Sequence, residues 1–99
     1  AVVGVAALLT LSPGNGVCEK ARIVLGACSP TPLRAKKAES VLLKHRIDEA
    51  LIEKAAQTAA GEARPNPGVS VRASAAYRRV MVRVWCKRAL ADAMRRALS

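Results

Sequence analysis

Val17-Cys18-Glu19-Lys20-Ala21-Arg22-Ile23-Val24-Leu25-Gly26-Ala27 is the stretch that decides the fold. Val17, Ala21, Ile23, Leu25 and Ala27 fall on one side of an extended chain, and Lys20, Arg22 and Cys28 on the other. That period of two is the mark of a half-buried strand, with Glu19 the one residue out of step. Just before it, Pro13-Gly14-Asn15-Gly16 joins a preset proline φ to three positions that tolerate φ > 0, the chemistry of a hairpin loop. Residues 1–11 are then the antiparallel partner. Their apolar residues do not alternate cleanly, which predicts either cover on both faces or a bulge at Gly4.

Downstream, Ser29-Pro30-Thr31-Pro32 ends the strand by removing backbone donors, and a short helix is predicted from about Arg34. Ala35, Ala38, Val41 and Leu42 share its apolar face, with His45 and Arg46 placing positive charge near its C-terminus. Asp48 is the N-cap expected of a second helix whose buried stripe is Leu51, Ile52, Ala55, Ala59 and Ala63. Arg64-Pro65-Asn66-Pro67-Gly68 breaks it. From Ser74, read as an N-cap, the rest of the chain forms one long helix without Gly or Pro. At 100° per residue it carries two apolar faces. Ala73, Tyr77, Val80, Val84, Ala91 and Leu98 form the stripe assigned to the core. Val82, Cys86, Ala89, Ala93 and Ala97 form the other, from which Cys86, Ala89 and Ala93 are the candidate interface. The layout is α+β, a small antiparallel sheet covered by three helices, with residues 1–99 as a single domain. Two strands make a marginal sheet, so a third is expected before Ala1.

Composition narrows the function. Among 99 residues, 17 Lys and Arg face 7 Asp and Glu, a formal charge of +10. Eight of the basic residues lie in residues 72–99, where Asp92 is the only acid. Such a helix fits a polyanion, and a small basic module for nucleic acid is the alternative reading. Against it, the only aromatics are Tyr77 and Trp85, too few for a stacking platform, and a solvated helix face is the better account of the charge. Three cysteines and one histidine, without a CxxC, supply neither a disulfide framework nor a zinc site, and free thiols predict a cytoplasmic protein. The apolar opening of about 11 residues is short of the roughly 20 that span a bilayer, so no membrane span is expected. No catalytic site is expected either, because His45 has no partner and adjacent Asp48 and Glu49 do not face each other on a helix. Gly14-Asn15-Gly16 leads into a strand, not a helix, and offers no helix N-terminus to a phosphate.

Two segments carry a family likeness. Arg22-Ile23-Val24-Leu25-Gly26-Ala27-Cys28-Ser29-Pro30-Thr31-Pro32-Leu33-Arg34-Ala35 resembles the strand-to-helix segment of the C-terminal domain of FAD-binding (medium) subunits in the molybdenum hydroxylases, the carbon monoxide dehydrogenase and xanthine dehydrogenase group. Arg72-Ala73-Ser74-Ala75-Ala76-Tyr77-Arg78-Arg79 resembles the start of that domain's last helix. Gly26, Pro30, Pro32, Arg34, Ser74, Tyr77 and Arg78 are the positions that carry the likeness. Ala76 stands where members often have an acid, which removes any ion pair made there. The resemblance implies a non-catalytic domain of an oxidoreductase that packs against the FAD-binding domains of its own subunit and against molybdenum and iron–sulfur subunits, with self-association also open. It implies FAD in the parent subunit. No FAD contact, metal ligand or catalytic residue is carried over to this chain.

Overall fold

The computed structural model describes residues 4–26, 32–63 and 72–98, with only the backbone of 72–76 and 78. Strands β1 (Gly4–Leu11) and β2 (Cys18–Gly26) form the expected hairpin, and a two-residue strand β3 (Leu33–Arg34) pairs antiparallel with β2. Helices α1 (Lys36–Leu42), α2 (Glu49–Glu62) and α3 (Arg72–Leu98) follow. The sheet order is β1-β2-β3, so there are three strands where two were expected, the third lying where the sequence predicted the start of a helix. Pro32 directly precedes it. Ala27, Cys28, Pro30, the connector at residues 64–68 and the side chains of Ala73, Ser74 and Arg78 lie outside the described residues.

The hairpin loop closes as its residues require. Ser12 N–H donates to the Val17 carbonyl at 2.8 Å, and Gly16 N–H to that of Ser12 at 3.0 Å. Gly16 adopts φ 70°, and the Asn15 side chain accepts from Val17 N–H at 3.1 Å. The bulge is at Glu19, not Gly4: Thr10 pairs with Lys20 and Leu11 with Cys18, leaving Glu19 as the extra residue. This is why Glu19 broke the alternation. The slip turns Cys18, which strict alternation would place with Lys20 and Arg22, into the core with Ala21, Ile23 and Leu25. β1 alternates without interruption, with Val5, Ala7, Leu9 and Leu11 toward the core and Ala6, Leu8 and Thr10 exposed. Its pattern looked irregular because the outward residues Ala6 and Leu8 are apolar as well.

All three helices serve one face of the sheet. α3 packs on β1 and α2, and α1 packs on β2 and α2. Asp48 caps α2 as expected, its carboxylate accepting from Leu51 N–H at 2.8 Å. Buried Ala55, Ala56, Ala59 and Ala60 let α2 approach its neighbours closely. α1 has no capping side chain of its own, and Glu62 at the far end of α2 takes that place, accepting from Lys37 and Ala38 N–H at 3.2 and 2.8 Å. Ser74 lies inside α3, which begins at Arg72.

The two faces of α3 exchange the roles expected from sequence. Val82, Cys86, Leu90 and Ala93 are buried in this chain's own core, whereas Tyr77 is 65% exposed and Val80 and Leu98 lie open. Cys86 and Ala93 are therefore core residues, not an interface, and Ala89 sits half-buried at the rim. Length explains part of this. A 27-residue helix runs about 40 Å and an eight-residue strand about 27 Å, so the first turns of α3 outrun the sheet and Tyr77 lies exposed among the described residues. Accordingly, Val82→Asp should unfold the domain, since a buried unpaired carboxylate costs several kcal/mol. Tyr77→Asp should shift the denaturant midpoint little, within about 0.5 kcal/mol. Parallel urea titrations followed by circular dichroism check both.

Candidate functional site

The polar feature with the most connections sits where β3 meets α1. Ala35, Ala38 and Leu42 bury one face of α1, and Glu39 shares that face, so its side chain is carried inward and is only 4% exposed. Its carboxylate accepts from Ile23 N–H at 2.9 Å and from Arg34 Nε at 3.0 and 2.9 Å, and Arg34 Nη2 adds an ion pair at 2.9 Å. The hydrogen bond that the Arg34 guanidinium donates to this carboxylate, then the carboxylate's charge, hold Arg34 above its ordinary pKa, against a smaller opposing effect of burial. Ala35 N–H donates to the Ile23 carbonyl at 2.8 Å. Both edge-facing backbone groups of Ile23 are thus satisfied just where β3 ends. This arrangement is a structural clamp: a carboxylate bonded to a main-chain amide and a guanidinium has no free lone pair aimed at a substrate.

Of the positions singled out from sequence, Arg34 belongs to this clamp and Gly26 closes β2 opposite Gly4. Pro32 is exposed beside β3, and Tyr77 stands well apart on α3. Glu39 was missed. The available signal was an acid at i+4 from Ala35 on an otherwise apolar helix face, five residues after an arginine.

On the other side of β2 nothing among the described residues covers the sheet. Leu8, 65% exposed, lies with Thr10, Lys20, Arg22 and Arg34 around a shallow depression of about 480 Å³. Around α3 several basic side chains have partners within the chain. Arg83 and Lys87 reach Glu53 at 2.9 and 3.5 Å, Arg95 pairs with Asp92, and Arg88 stacks on Trp85 at 5.2 Å. Cys86 and Cys18 are free buried thiols. Burial pushes the Cys86 thiol up to about 12, and raises that of Cys18 less, the Lys20 backbone opposing it.

Comparison with known proteins gives this geometry a context. The family described as CO dehydrogenase flavoprotein C-terminal domain matches residues 1–93. The chain belongs to that family. It is 34% identical over 97 residues to the 6-hydroxypseudooxynicotine dehydrogenase complex subunit alpha of Paenarthrobacter nicotinovorans, covering 98% of this chain and 32% of that protein. Among solved structures, carbon monoxide dehydrogenase from Hydrogenophaga pseudoflava superposes with a TM-score of 0.81 at 32% identity, over 95% of this chain and 31% of that one. Quinoline 2-oxidoreductase from Pseudomonas putida 86 gives 0.85 at 28% identity, over 100% and 33%. The chain thus spans about a third of the length of these relatives and corresponds to the C-terminal domain of flavoprotein subunits in the molybdenum hydroxylase family.

Of the basic side chains that line the depression, Arg34 is already engaged by Glu39. No helix among the described residues is long and apolar enough to cross a membrane.

Two measurements probe the site. Glu39→Ala should cost about 1–3 kcal/mol from the orphaned Ile23 N–H alone, read as a lowered urea midpoint, whereas a solvated carboxylate would cost almost nothing. With its pKa about 12 against an ordinary 9.0, Cys86 should resist thiol reagents at pH 8 and react only on unfolding. Because the folded value is the higher one, its contribution to stability is complete below pH 9 and is lost as pH rises toward 12.

Proposed function

We propose that the chain is the non-catalytic C-terminal domain of a FAD-binding subunit in a molybdenum hydroxylase-type oxidoreductase, where it packs against the flavin-binding domains and serves subunit assembly in the cytoplasm. The observation that carries this reading is the sheet face left open among the described residues. In a protein with so few large side chains, leaving Leu8 exposed beside Ala6 and between Lys20 and Arg22 makes sense where another surface covers it. The likeness over residues 1–93 to a flavoprotein domain supplies the neighbour. FAD would belong to the parent subunit and be held outside this chain. Substrate choice would lie with other subunits.

The nucleic-acid alternative is less well supported: Arg83 and Lys87 share Glu53 and Arg95 pairs with Asp92, which reduces the charge available for phosphates.

Purification from the native cells with an antibody against this chain tests the proposal. Recovery in a complex that holds stoichiometric FAD, either in one longer polypeptide or with a separate flavin-binding chain, is the expected result. A flavin-free chain of 10.4 kDa without partners would contradict it. The chain alone, titrated into FAD, should give no fluorescence quenching that survives added salt, since only the +10 charge attracts the dinucleotide.

A further inference from the structure

β1 is the outer strand of the sheet, and its backbone says what kind of partner it can accept. Ile23 directs its N–H to Glu39 and its carbonyl to Ala35, both on the β3 side. Ala7, opposite Ile23 in the ladder, therefore turns its own N–H and C=O away from β2, and by alternation so do Val5 and Leu9. These groups line an outer edge that no strand among the described residues covers, and of them the Ala7 carbonyl takes a contact from Arg96. Along eight residues, Gly-Val-Ala-Ala-Leu-Leu-Thr-Leu, that edge carries no charge and no proline, and its one bulge is on β2, at the hairpin end. Isolated edges of this length are ordinarily guarded by such features, because an unguarded one recruits another strand.

Beside the edge, β1 and α3 enclose a groove of about 430 Å³ lined by Val5, Ala7, Trp85, Arg88, Ala89 and Arg96. Trp85, 40% exposed, forms its apolar wall with Arg88 over the ring. Arg96 reaches the Ala7 carbonyl at 3.4 Å, a long contact at the position where an added strand would place an N–H. Asp92, the acid of the groove, pairs with Arg95 and leaves the rim basic.

We infer that the outer edge of β1 is a strand-addition site for an extended, acidic segment of a partner, which would pair with Val5, Ala7 and Leu9 and set side chains against Trp85 and Arg88. The directed backbone groups require an extended occupant. The basic rim selects acidic side chains and opposes a second copy, since two chains of charge +10 would meet edge to edge. The inference goes beyond the flavin-subunit reading and does not depend on it.

The probe is a fluorescein-labelled decapeptide alternating Glu with Val and Thr, added to the 99-residue chain and followed by anisotropy and by amide hydrogen exchange. Saturable binding is expected, with exchange slowed at Val5, Ala7 and Leu9 and unchanged at Ala6 and Leu8, whose amides face β2. Ala7→Pro removes only an outward N–H and should weaken binding about tenfold, as should Lys in place of Glu in the peptide. Arg88→Glu should weaken it severalfold. If Ala7→Pro does not fold, the exchange pattern of the unaltered chain decides. Absence of binding up to about 1 mM peptide, equal binding of the Lys peptide, or slowing at amides away from this edge would overturn the inference. So would a dimer, detected by sedimentation, that closes the same edge.

Discussion

A two-residue strand cannot cover the edge of a nine-residue neighbour, and in this domain a carboxylate makes up the difference. Glu39 enters from α1, accepts the Ile23 N–H, and is held in turn by the Arg34 guanidinium from β3. The same contact fastens α1 to β2 and orients β3. A buried acid is costly unless its lone pairs are filled, and here backbone amide and guanidinium fill them together. The side chain that looks least suited to an apolar helix face is therefore the one that joins sheet to helices.

From that junction the rest follows in layers. With α1 anchored on β2, the chain runs into α2, whose Glu62 returns to cap α1, and whose alanines admit α3. α3 then lies along β1, burying Val82, Cys86, Leu90 and Ala93. All three helices lie on one face. The consequence, among the described residues, is a sheet with one face covered by helices, one face open and an outer edge on β1 that no strand covers. The family to which the chain belongs and its coverage of about a third of each relative agree with that shape.

What was legible in the sequence was local. The alternation at Ala21, Ile23 and Leu25, the turn chemistry of residues 13–16 and the Asp48 cap each depend on neighbours in the chain, and each forms as expected. What was not legible depends on distant partners. Glu62 caps a helix that precedes it by some twenty residues, and Glu39 bonds a strand that lies sixteen residues back. The bulge at Glu19 was visible as a misfit, but its effect on Cys18 follows only from the register with β1. On α3 both stripes are apolar, so periodicity could not choose between them. Cys86 and Ala93 are buried in the core, while Tyr77 is exposed. The resemblance carried by Arg34 pointed to the right family without disclosing Arg34's partner.

The claim that a side-chain carboxylate completes the sheet edge is tested most directly by the exchange rate of the Ile23 amide. In native-state hydrogen exchange it should be protected as strongly as the amides of the β1–β2 ladder, opening only with the whole domain. Exchange at the rate of an exposed edge amide, with the ladder still protected, would contradict the account.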